Sequence, residues 1–382
     1  MGKKICLVAG SAPTYRKEIF VRMGEELGCD YILGAGATKQ MALKCLPNKV
    51  METKTIRLKW LHAYRQPGVV RMTKDYDTLI VNMGLFSITE WSLLMLSKVR
   101  KQKIFIWAHG WYGKETRVQR MVKRFYFSLA DGIFVYGDRA RKLMTEAGIC
   151  ADKIFPIHNS LAYSVQKPLR DSLSPSDIYQ RHFGNDHKNI VFIGRLTAVK
   201  RLDLLLDAVG QLKREGEAYN VVFIGDGVEK ERMKAQAKEA GISEQVWFYG
   251  ECFDERTNAE MIYNADLCVS PGNIGLTAIH VLMFGCPAIT NDDFNHQMPE
   301  FEAIENGKTG LFFKAGDSHS LAQSISRWFR DHSANREAVR QQCYDVIDRG
   351  WNPDYQIKII KDAISMQTNE NYRITPPPDA NS

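Results

Sequence analysis

The sequence lacks the patterns that define three common classes of protein. Its eight cysteines include no pair in C-x-x-C spacing, and several lie in or beside predicted strands, which indicates reduced thiols in a cytosolic protein rather than a zinc site or a disulfide framework. No run of about 18 uncharged apolar residues is present, so no membrane-spanning helix is predicted. The apolar stretch that follows Lys3 and Lys4 is too short for a signal peptide and predicts a buried strand.

Patterns for binding metals and nucleic acids are also missing. The one D-x-D triplet, Asp75-Tyr76-Asp77, precedes a predicted strand at the end of the sheet opposite to the ligand side, and we interpret it as a solvated turn. No helix-turn-helix, zinc pattern or aromatic platform accompanies the basic residues. We therefore predict neither a metal site nor a nucleic-acid partner.

Charge is distributed unevenly along the chain. Residues 1–165 carry 27 lysines and arginines against 13 acidic residues, whereas the rest of the chain carries 24 against 31. The basic stretch 117–125 has apolar residues at helical spacing, and two interpretations of it stay open. Its helix either lies on an anionic membrane surface, or turns its apolar stripe toward the core and leaves its cations in solvent.

Strands and helices alternate in both halves of the sequence, which predicts an α/β protein with two doubly wound, Rossmann-like domains. The polar segment 163–187 is interpreted as a hinge between them. The N-terminal domain is predicted at 1–165, the C-terminal domain at 188–350, a last helix at 352–368 and a flexible tail at 369–382. In the first half, strands are predicted at 5–9, 31–33, 78–81, 104–108 and 132–135, and helices near 17–27, 87–100, 117–130 and 140–147.

The stretch 190–206 is the most informative part of the chain. An apolar run rich in β-branched residues ends at Gly194, and a helix with an apolar face follows, so Arg195 and Lys200 are predicted in the turn at the carboxyl end of a strand. Open α/β sheets bind their ligands at that edge. A planar guanidinium beside a flexible ammonium suits a diphosphate, and solvated loop charges are the alternative at this point.

In three further segments a predicted strand runs into a glycine or proline turn: Val221 to Gly227, Val246 to Gly250, and Ala265 to Pro271. A fourth segment, Glu305 to Gly310, continues into Leu311 and has the pattern Gly-x-x-Gly-Leu. Together with Gly194-Arg195-Leu-x-x-x-Lys200, and in this order across residues 190–316, they closely resemble the retaining, nucleotide-sugar-dependent glycosyltransferases of family 4, also called group 1, which have the GT-B fold.

The resemblance implies two Rossmann-like domains facing each other across a cleft, with the nucleotide sugar bound by the C-terminal domain and the acceptor by the N-terminal domain. It also implies that the last helix crosses back to the N-terminal domain. Arg195 and Lys200 would stabilise the leaving diphosphate, so neither a metal nor a cofactor is expected. Anomeric configuration would be retained, with an oxygen of the leaving phosphate taking the acceptor proton.

The sequence departs from the family at one informative place. The family usually has Glu-Gly-Phe-Gly-Leu-x-x-x-Glu, in which the first glutamate contacts the sugar and the second the ribose. Gly272 and His280 stand at these two positions here. A histidine can still hydrogen-bond a ribose hydroxyl. Asp292 and Asp293, in the polar loop that precedes the family-matching Glu302, are candidates to replace the missing carboxylate.

The resemblance assigns the remaining site residues position by position. His109 directly follows a predicted buried strand, where family members carry a histidine that faces the reacting sugar, so the catalytic set is predicted as His109, Arg195 and Lys200. Arg16 and Lys17 are candidates for binding an acceptor phosphate. The predicted donor-binding residues are Gly10, Gly194, Asp226, Cys252, Phe253, Gly272, Asn273, Gly275, Leu276, Thr277 and His280.

The function implied is transfer of a sugar from a nucleoside diphosphate to a glycan or lipid-linked acceptor, with retention of configuration. Relatives of this kind act in bacterial cell-surface polysaccharide synthesis, such as that of lipopolysaccharide or capsule, in the cytoplasm or peripherally on the inner face of the membrane. Two alternatives stay open: a nucleotide-sugar epimerase of the same fold, and a catalytically inactive partner of a working glycosyltransferase.

Overall fold

The structure, a computed structural model, describes residues 4–34, 43–58 and 62–366. The chain divides into two units. Unit 1 comprises residues 1–159 and 353–382, and unit 2 comprises residues 160–352. The tail predicted at 369–382 lies outside the described residues.

Unit 1 is built on a parallel sheet. Its strands are β1 (Ile5–Ala9), β2 (Asp30–Gly34), β3 (Val50–Thr53), β4 (Ile56–Leu58), β5 (Ala63–Arg65), β6 (Thr78–Asn82), β7 (Lys103–Trp107), β8 (Gly132–Val135) and β9 (Ile154–Pro156). In the described part of the unit, seven of them form a sheet in the order β3-β2-β1-β6-β7-β8-β9, while β4 and β5 pair as an antiparallel hairpin. The helices before residue 159 are α1 (Lys17–Leu27), α2 (Val69–Met72), α3 (Ile88–Arg100), α4 (Arg117–Ser128) and α5 (Asp138–Glu146).

The strands and helices predicted for the first half are all present, with strand bounds that agree within one residue and helix bounds that agree within two. The sequence analysis did not predict the β4–β5 hairpin or α2. In the parallel sheet it missed β3 and β9. The first contains Glu52, and the second is three residues long and ends in Pro156, so neither forms an apolar run long enough to recognise.

Unit 2 repeats the architecture. Its strands are β10 (Lys188–Ile193), β11 (Tyr219–Ile224), β12 (Val246–Gly250), β13 (Leu267–Ser270), β14 (Ala288–Asn291) and β15 (Gly310–Phe313). They form a parallel sheet in the order β12-β11-β10-β13-β14-β15. The direction in which successive strands are added to the sheet reverses between β10 and β13. The helices are α6 (Tyr163–Asp171), α7 (Ile178–Phe183), α8 (Leu202–Arg214), α9 (Lys230–Glu239), α10 (Glu255–Asn264), α11 (Thr277–Met283), α12 (Ser318–His332) and α13 (Arg336–Gly350).

The segment 163–187, interpreted from the sequence as a hinge, folds instead as α6 and α7 within unit 2. Arg170 is buried and donates two hydrogen bonds of 2.9 Å to the carboxylate of Asp348. The buried Tyr179 donates its hydroxyl to Met261 O at 2.6 Å. These contacts hold the polar segment on the unit, so the boundary between the units falls at residue 159 rather than inside this stretch.

The last helix, α14 (Pro353–Met366), belongs to unit 1, which confirms the predicted return of the chain. It packs against α1. Ile357, Ile360 and Ile364 lie in the same buried cluster as Phe20 of α1 and Phe134 of β8, so this helix covers one face of the unit 1 sheet.

All eight cysteines are unpaired thiols, and those at 6, 29, 268, 286 and 343 are buried. Burial raises the pKa of the Cys286 thiol to about 12, so this group stays protonated. Within the described ranges, no helix combines the length and the apolar character that crossing a bilayer requires.

Candidate functional site

The loops that follow β10 to β13 are joined by backbone hydrogen bonds at the carboxyl edge of the unit 2 sheet. Gly194 N donates to Ile224 O at 2.9 Å. Gly225 N donates to Gly250 O at 2.7 Å. In the loop after β13, Gly272 N donates to Lys200 O at 2.9 Å. Four segments that stood out in the sequence therefore form one surface, at the edge where parallel sheets bind ligands.

The glycines of these loops are required by the closeness of the backbones. A Cβ atom at Gly225 would lie 2.0 Å from Gly194 O, and one at Gly227 would lie 2.1 Å from Leu196 O. Gly225 also has a φ of 144°, a conformation that other residues rarely adopt. Replacing either glycine would push the loops apart.

Asp226, a predicted donor-binding residue, is engaged within its own turn. Its carboxylate accepts hydrogen bonds from Gly227 N at 2.7 Å and from Lys230 Nζ at 2.9 Å. The bond from Lys230, with that from Gly227, holds the pKa of Asp226 below its ordinary value. These contacts fix the turn that brings the loop after β11 toward Leu196.

Arg195 and Lys200 lie together in the loop after β10. Arg195 is exposed, whereas Lys200 is half-buried and donates from Nζ to Asn273 O. Burial and then the charge of Arg195 lower the pKa of Lys200, which indicates that the two cations act on each other. No carboxylate in the described ranges forms an ion pair with either, and Glu300 acts on Lys200 from a longer distance. This loop therefore offers positive charge to an anion.

Gly272 occupies a place that no side chain can enter. A Cβ atom there would lie 2.0 Å from Val199 O, in the loop that carries the two cations. Its carbonyl accepts hydrogen bonds from Asn291 Nδ2 at 2.9 Å and from the buried Gln297 Nε2 at 3.1 Å. The polar loop after β14 thus holds this segment against the cationic loop.

Asp292 and Asp293, the candidates to replace the missing carboxylate, have local partners. Asp292 accepts from Ala315 N at 2.9 Å, and Asp293 lies 2.7 Å from Nδ1 of His296. Both carboxylates stabilise the fold of their own loop in this structure. The prediction that either of them replaces the family glutamate is not supported by these contacts.

The segment that leads into α11 is held by three side-chain hydrogen bonds. Asn273 Nδ2 donates to His296 O at 3.0 Å, Ile274 N donates to the Gln297 side chain at 3.0 Å, and Thr277 Oγ1 donates to the carbonyl oxygen at the end of β10 at 3.0 Å. Gly275 has a φ of 54° and Leu276 is half-buried just before the helix begins. The segment lies beside the Arg195–Lys200 loop, as the family resemblance requires.

His280, in α11, pairs with a carboxylate that the sequence analysis did not identify. Its Nε2 lies 2.9 Å from Oε1 of Glu255, the first residue of α10. The same oxygen accepts a hydrogen bond of 2.7 Å from Gln166. Burial raises the pKa of Glu255, but the bond from His280, with that from Gln166, brings it below its ordinary value. Glu255 is therefore an ionised partner of His280.

The loop after β12 exposes apolar surface. Phe253 is 88% exposed and Cys252 is half-buried, and both belong to the predicted donor site. Val228, in the loop after β11, is 87% exposed and was not predicted. Since Gly225 and Gly250 join these two loops, the exposed apolar residues lie on neighbouring segments of the same edge.

Unit 1 contains a cavity of about 380 Å³ at the carboxyl edge of its own sheet. It lies beside the ends of β1, β6 and β7. Two residues predicted from the sequence, Arg16 and His109, line it, whereas Lys17 is exposed at the first position of α1 and does not. Gly10 lies at the end of β1, and its predicted contact with the donor stays a prediction.

Several buried polar atoms of the cavity residues have no hydrogen-bond partner in the part of the chain that the structure describes. They are Nε of Arg16, Oδ1 of Asn82, Nε1 of Trp107 and Nδ1 of His109. Burial and the nearby charge of Arg16 lower the pKa of His109 to about 4. His109 is therefore neutral at physiological pH and acts as a hydrogen-bonding group rather than as a cation.

The guanidinium of Arg16 is surrounded by aromatic rings. Its Cζ lies 5.6 Å from the ring centroid of Tyr15 and 5.4 Å from those of Trp107 and Tyr136. It also donates a hydrogen bond to the Tyr136 hydroxyl. The rings fix the direction of this cation without neutralising it.

The described residues contain no group of three or more side chains placed to hold a metal ion. Asp77, of the D-x-D triplet, accepts a hydrogen bond from Lys4 N at 2.8 Å. It ties β6 to the start of β1.

The family model described as "Glycosyl transferases group 1" matches residues 176–345. This range contains the Arg195–Lys200 loop, the segment that leads into α11, and His280 with Glu255. Residues 176–345 are thus similar to a group 1 glycosyltransferase domain.

Curated relatives resemble the chain over part of their length. Alpha-D-kanosaminyltransferase of Streptomyces kanamyceticus is 21% identical over 221 residues, which cover 56% of this chain and 55% of the relative. Glycogen synthase of Paracoccus denitrificans is 34% identical over 177 residues, which cover 42% and 36%. The chain thus spans between about a third and just over half of the relatives' length.

Solved glycosyltransferase-like structures match nearly the whole chain. Anabaena HepE, crystallised in complex with UDP, is 18% identical with a TM-score of 0.71, covering 95% of this chain and 100% of that one. The lipopolysaccharide outer core galactosyltransferase WaaB is 17% identical with a TM-score of 0.69, covering 95% and 99%. These matches confirm the predicted GT-B fold.

Apart from Gly10, the predicted donor residues lie on the loops at the carboxyl edge of the unit 2 sheet or on α11. The sequence analysis missed Glu255 and Gln166, which meet His280 from other helices, and Trp107 and Asn82 in the unit 1 cavity. An asparagine or tryptophan at the end of a strand gives some signal of an edge site, because ligands bind there. The pairing of α10 with α11 gives none.

Proposed function

We propose that the chain is a glycosyltransferase that moves a sugar from a nucleoside diphosphate to an acceptor hydroxyl. The observation that carries the proposal is the pair of neighbouring cations, Arg195 and Lys200, in a loop held against the glycine segment at 272–275. The match of this region to the group 1 family supports it, as do the UDP complexes of HepE. The nucleotide sugar is thus proposed to bind unit 2.

In the proposed reaction, the bond between C1 of the sugar and the oxygen of the β-phosphate breaks. The electron pair stays on the phosphate oxygen, while the sugar ring gains positive charge. Arg195 and Lys200 stabilise the negative charge that develops on the diphosphate, and positioned charges of this kind are usually the largest contribution to catalysis. A leaving-phosphate oxygen takes the acceptor proton, so the new bond forms on the same face and configuration is retained.

The acceptor is proposed to bind unit 1, where the neutral His109 lines a cavity of sugar-like size. His109 would position the acceptor hydroxyl by a hydrogen bond. A glycan or a lipid-linked glycan is the proposed acceptor. The similarity to WaaB, a lipopolysaccharide outer core galactosyltransferase, supports a cell-surface product.

A surface on α3 and α4 supports action at a membrane. One of the two interpretations, that the apolar stripe within residues 117–125 of α4 turns toward the core, does not hold, since Val118 and Met121 are 70% and 72% exposed. Trp91 of α3 stacks on Phe125 at 6.0 Å, so the helices are neighbours. The exposed apolar residues of this α3–α4 surface are Phe86, Ile88, Met95, Val99, Val118, Met121, Val122 and Phe125. Contiguous exposed apolar patches mark interaction sites.

Basic residues complete the α3–α4 surface. Arg117, Arg120 and Arg124 are exposed or partly exposed on α4. Lys123 is different, because its Nζ lies 2.8 Å from the buried carboxylate of Glu115. Exposed apolar side chains with arginines among them suit an anionic membrane surface, and we propose that unit 1 binds one through this face.

The proposal is tested with a panel of nucleotide sugars based on uridine, guanosine, adenosine and thymidine. The true donor should raise the melting temperature and be hydrolysed slowly without acceptor. Arg195→Ala and Lys200→Ala should each lower turnover by about 10²–10³-fold while the fold is kept. Arg214→Ala, at an exposed position of α8, is the control and should leave turnover unchanged.

The outcomes separate the alternatives. Epimerisation of the donor without transfer would identify an epimerase. Donor binding without hydrolysis or transfer would identify an inactive partner. Normal turnover in both Arg195→Ala and Lys200→Ala would overturn the assignment of the diphosphate to this loop.

A further inference from the structure

The unit 1 cavity holds a positive charge that nothing in the described part of the unit neutralises. Arg16 forms no ion pair within 4.0 Å with a carboxylate of the described residues. Lys123, which also lines the cavity, has its charge balanced by Glu115. The aromatic rings around Arg16 stabilise its position and leave its charge available.

Two hydrogen-bond donors in the wall of the same cavity have no partner among the described residues. Trp107 is 3% exposed, and its Nε1 is a donor only. Nε of Arg16 is the second such buried donor. Because leaving a buried donor unsatisfied is costly, two in one cavity wall indicate a ligand that accepts hydrogen bonds there.

Two further buried atoms without a partner among the described residues line the cavity, and they are not restricted to donating hydrogen bonds. Oδ1 of Asn82 is an acceptor, and Nδ1 of the neutral His109 donates or accepts according to its tautomer. Hydroxyl groups, which donate and accept at once, match both. The cavity therefore combines a site for an anion with partners for hydroxyls, in a volume of about 380 Å³.

We propose that this cavity binds a phosphate group carried by a hydroxyl-rich acceptor, with Arg16 and Trp107 as the residues that recognise the phosphate. Asn82 and His109 bind hydroxyls of the same molecule. The proposal rests on the proposed glycosyltransferase function and specifies its acceptor class. A phosphorylated sugar in solution and a sugar phosphate linked to a lipid present the same chemistry to the cavity.

The test uses the full chain without donor. Glucose 6-phosphate, inorganic phosphate and glucose are titrated by calorimetry. We expect binding of the two phosphates and at least about tenfold weaker binding of glucose, since glucose cannot form the charged hydrogen bonds. Arg16→Gln should weaken glucose 6-phosphate binding by at least about tenfold. Trp107→Phe keeps the ring and removes the donor, and should weaken it by roughly 3–10-fold.

Two controls locate the phosphate. Arg141→Gln removes an exposed arginine of unit 1 and should leave binding unchanged. Arg195→Ala tests whether glucose 6-phosphate binds instead at the proposed diphosphate loop of unit 2. If glucose 6-phosphate binding is lost in Arg195→Ala but kept in Arg16→Gln, the proposal is overturned. Should Arg16→Gln melt early, Arg16→Lys, which keeps the charge, is expected to retain phosphate binding.

Decyl phosphate distinguishes the two sources. Tighter binding of decyl phosphate than of glucose 6-phosphate supports a lipid-linked acceptor, and the reverse supports a soluble sugar phosphate. Equal binding of glucose and glucose 6-phosphate overturns the proposal. Because the titrations contain no nucleotide sugar, donor hydrolysis by the wild-type chain tests the glycosyltransferase function separately.

Discussion

Nε2 of His280 lies 2.9 Å from Oε1 of Glu255, so α10 supplies a carboxylate next to the position where the family resemblance expects one on α11. The two residues are 25 positions apart in the sequence. A histidine that shares a hydrogen bond with an ionised glutamate has a fixed ring orientation and a defined tautomer. We interpret the pair as the replacement for the second family glutamate.

The first prediction concerns this pair. His280→Ala should weaken nucleoside diphosphate binding by about 1–2 kcal/mol, because a polar contact to the ribose is lost. Glu255→Gln should weaken it by less, since the amide still accepts a bond from His280, and the effects should not add in the double variant. Calorimetry with the diphosphate of the true donor measures both, and unchanged affinity in His280→Ala would assign the pair to the fold alone.

The second prediction concerns Gly272. A Cβ atom there would meet Val199 O at 2.0 Å, so Gly272→Ala should displace the loop of Arg195 and Lys200 and lower stability by roughly 2–4 kcal/mol. Gly272→Glu, which restores the family residue, should be inactive for the same reason. Gly241→Ala is the control, because its Cβ would meet nothing within 4 Å; only its positive φ causes strain, so it should lower stability by less than Gly272→Ala. Thermal melting of the variants checks this, and an unchanged melting temperature in Gly272→Ala would contradict it.

The third prediction concerns the protonation of His109. Because burial and Arg16 lower its pKa to about 4, the ring should stay neutral above about pH 5, and the rate should show no inflection from this group near its ordinary pKa of about 6.5. Ring resonances assigned with His109→Gln measure the titration by nuclear magnetic resonance. In Arg16→Gln, the pKa of His109 should rise, since one of the two causes is removed. A wild-type ring that titrates near pH 6.5 would refute the neutral role.

The fourth prediction concerns the pH dependence of unit 1. Glu90 is 2% exposed, its Oε2 has no hydrogen-bond partner among the described residues, and burial raises its pKa to about 7. Between about pH 4.5 and pH 7 the unfolded chain loses this proton first, so the free energy of unfolding should fall as the pH rises, by on the order of 3 kcal/mol.

Glu90→Gln should remove that dependence. The variant should melt higher than the wild type at about pH 8 and close to it at about pH 4, because the wild-type carboxyl is protonated in both the folded and the unfolded state only below about pH 4.5. Glu146→Gln, at an exposed position of α5, is the matched control. Equal melting temperatures of wild type and Glu90→Gln at both pH values would show that the carboxyl costs nothing when ionised.

The fifth prediction concerns the α3–α4 surface. The chain should bind anionic vesicles in a salt-sensitive manner and neutral ones weakly, since surface attraction decays within roughly 8–10 Å at physiological salt. Replacing Arg117, Arg120 and Arg124 by Gln should cost about 1 kcal/mol for each cation. Replacing Met121 and Phe125 by Ser should weaken binding to both kinds of vesicle.

The control for this surface is a pair of cations elsewhere on unit 1. Arg141 and Lys142 are exposed on α5, and replacing both by Gln should leave vesicle binding unchanged. Lys123 is left intact in these variants because it is paired with Glu115. A wild-type chain that binds anionic and neutral vesicles equally at low salt would indicate a soluble acceptor.

The sequence predicted those parts of the candidate site whose residues lie close to one another along the chain. Arg195 and Lys200 lie five residues apart in one loop, so the strand before them and the helix after them were enough to place both. The apolar runs of β1 and β6 to β8 were equally clear. Local pattern could not predict contacts between distant segments, such as Glu255 with His280 or the closeness of Val199 to Gly272, because no periodicity encodes them.

The hinge was misassigned for a related reason. The polar composition of residues 163–187 predicted a solvated segment. In the structure the buried Arg170 and Tyr179 attach the segment to unit 2. Exposure of the α4 apolar residues was likewise undecided from the sequence, since helical spacing describes a stripe but not what the stripe faces. Such features depend on tertiary packing.

The return of α14 to unit 1 reverses the order in which the two units can be completed during translation. Unit 2 has all of its residues as soon as 352 has left the ribosome, whereas the unit 1 core still lacks Ile357, Ile360 and Ile364. Translation proceeds at about 5–20 residues per second, so the chain from residue 160 to the end of α14 takes roughly 10–40 s to make. During that time the apolar face of the first unit stays uncovered. The half of the protein that is made first is therefore the half that finishes folding last.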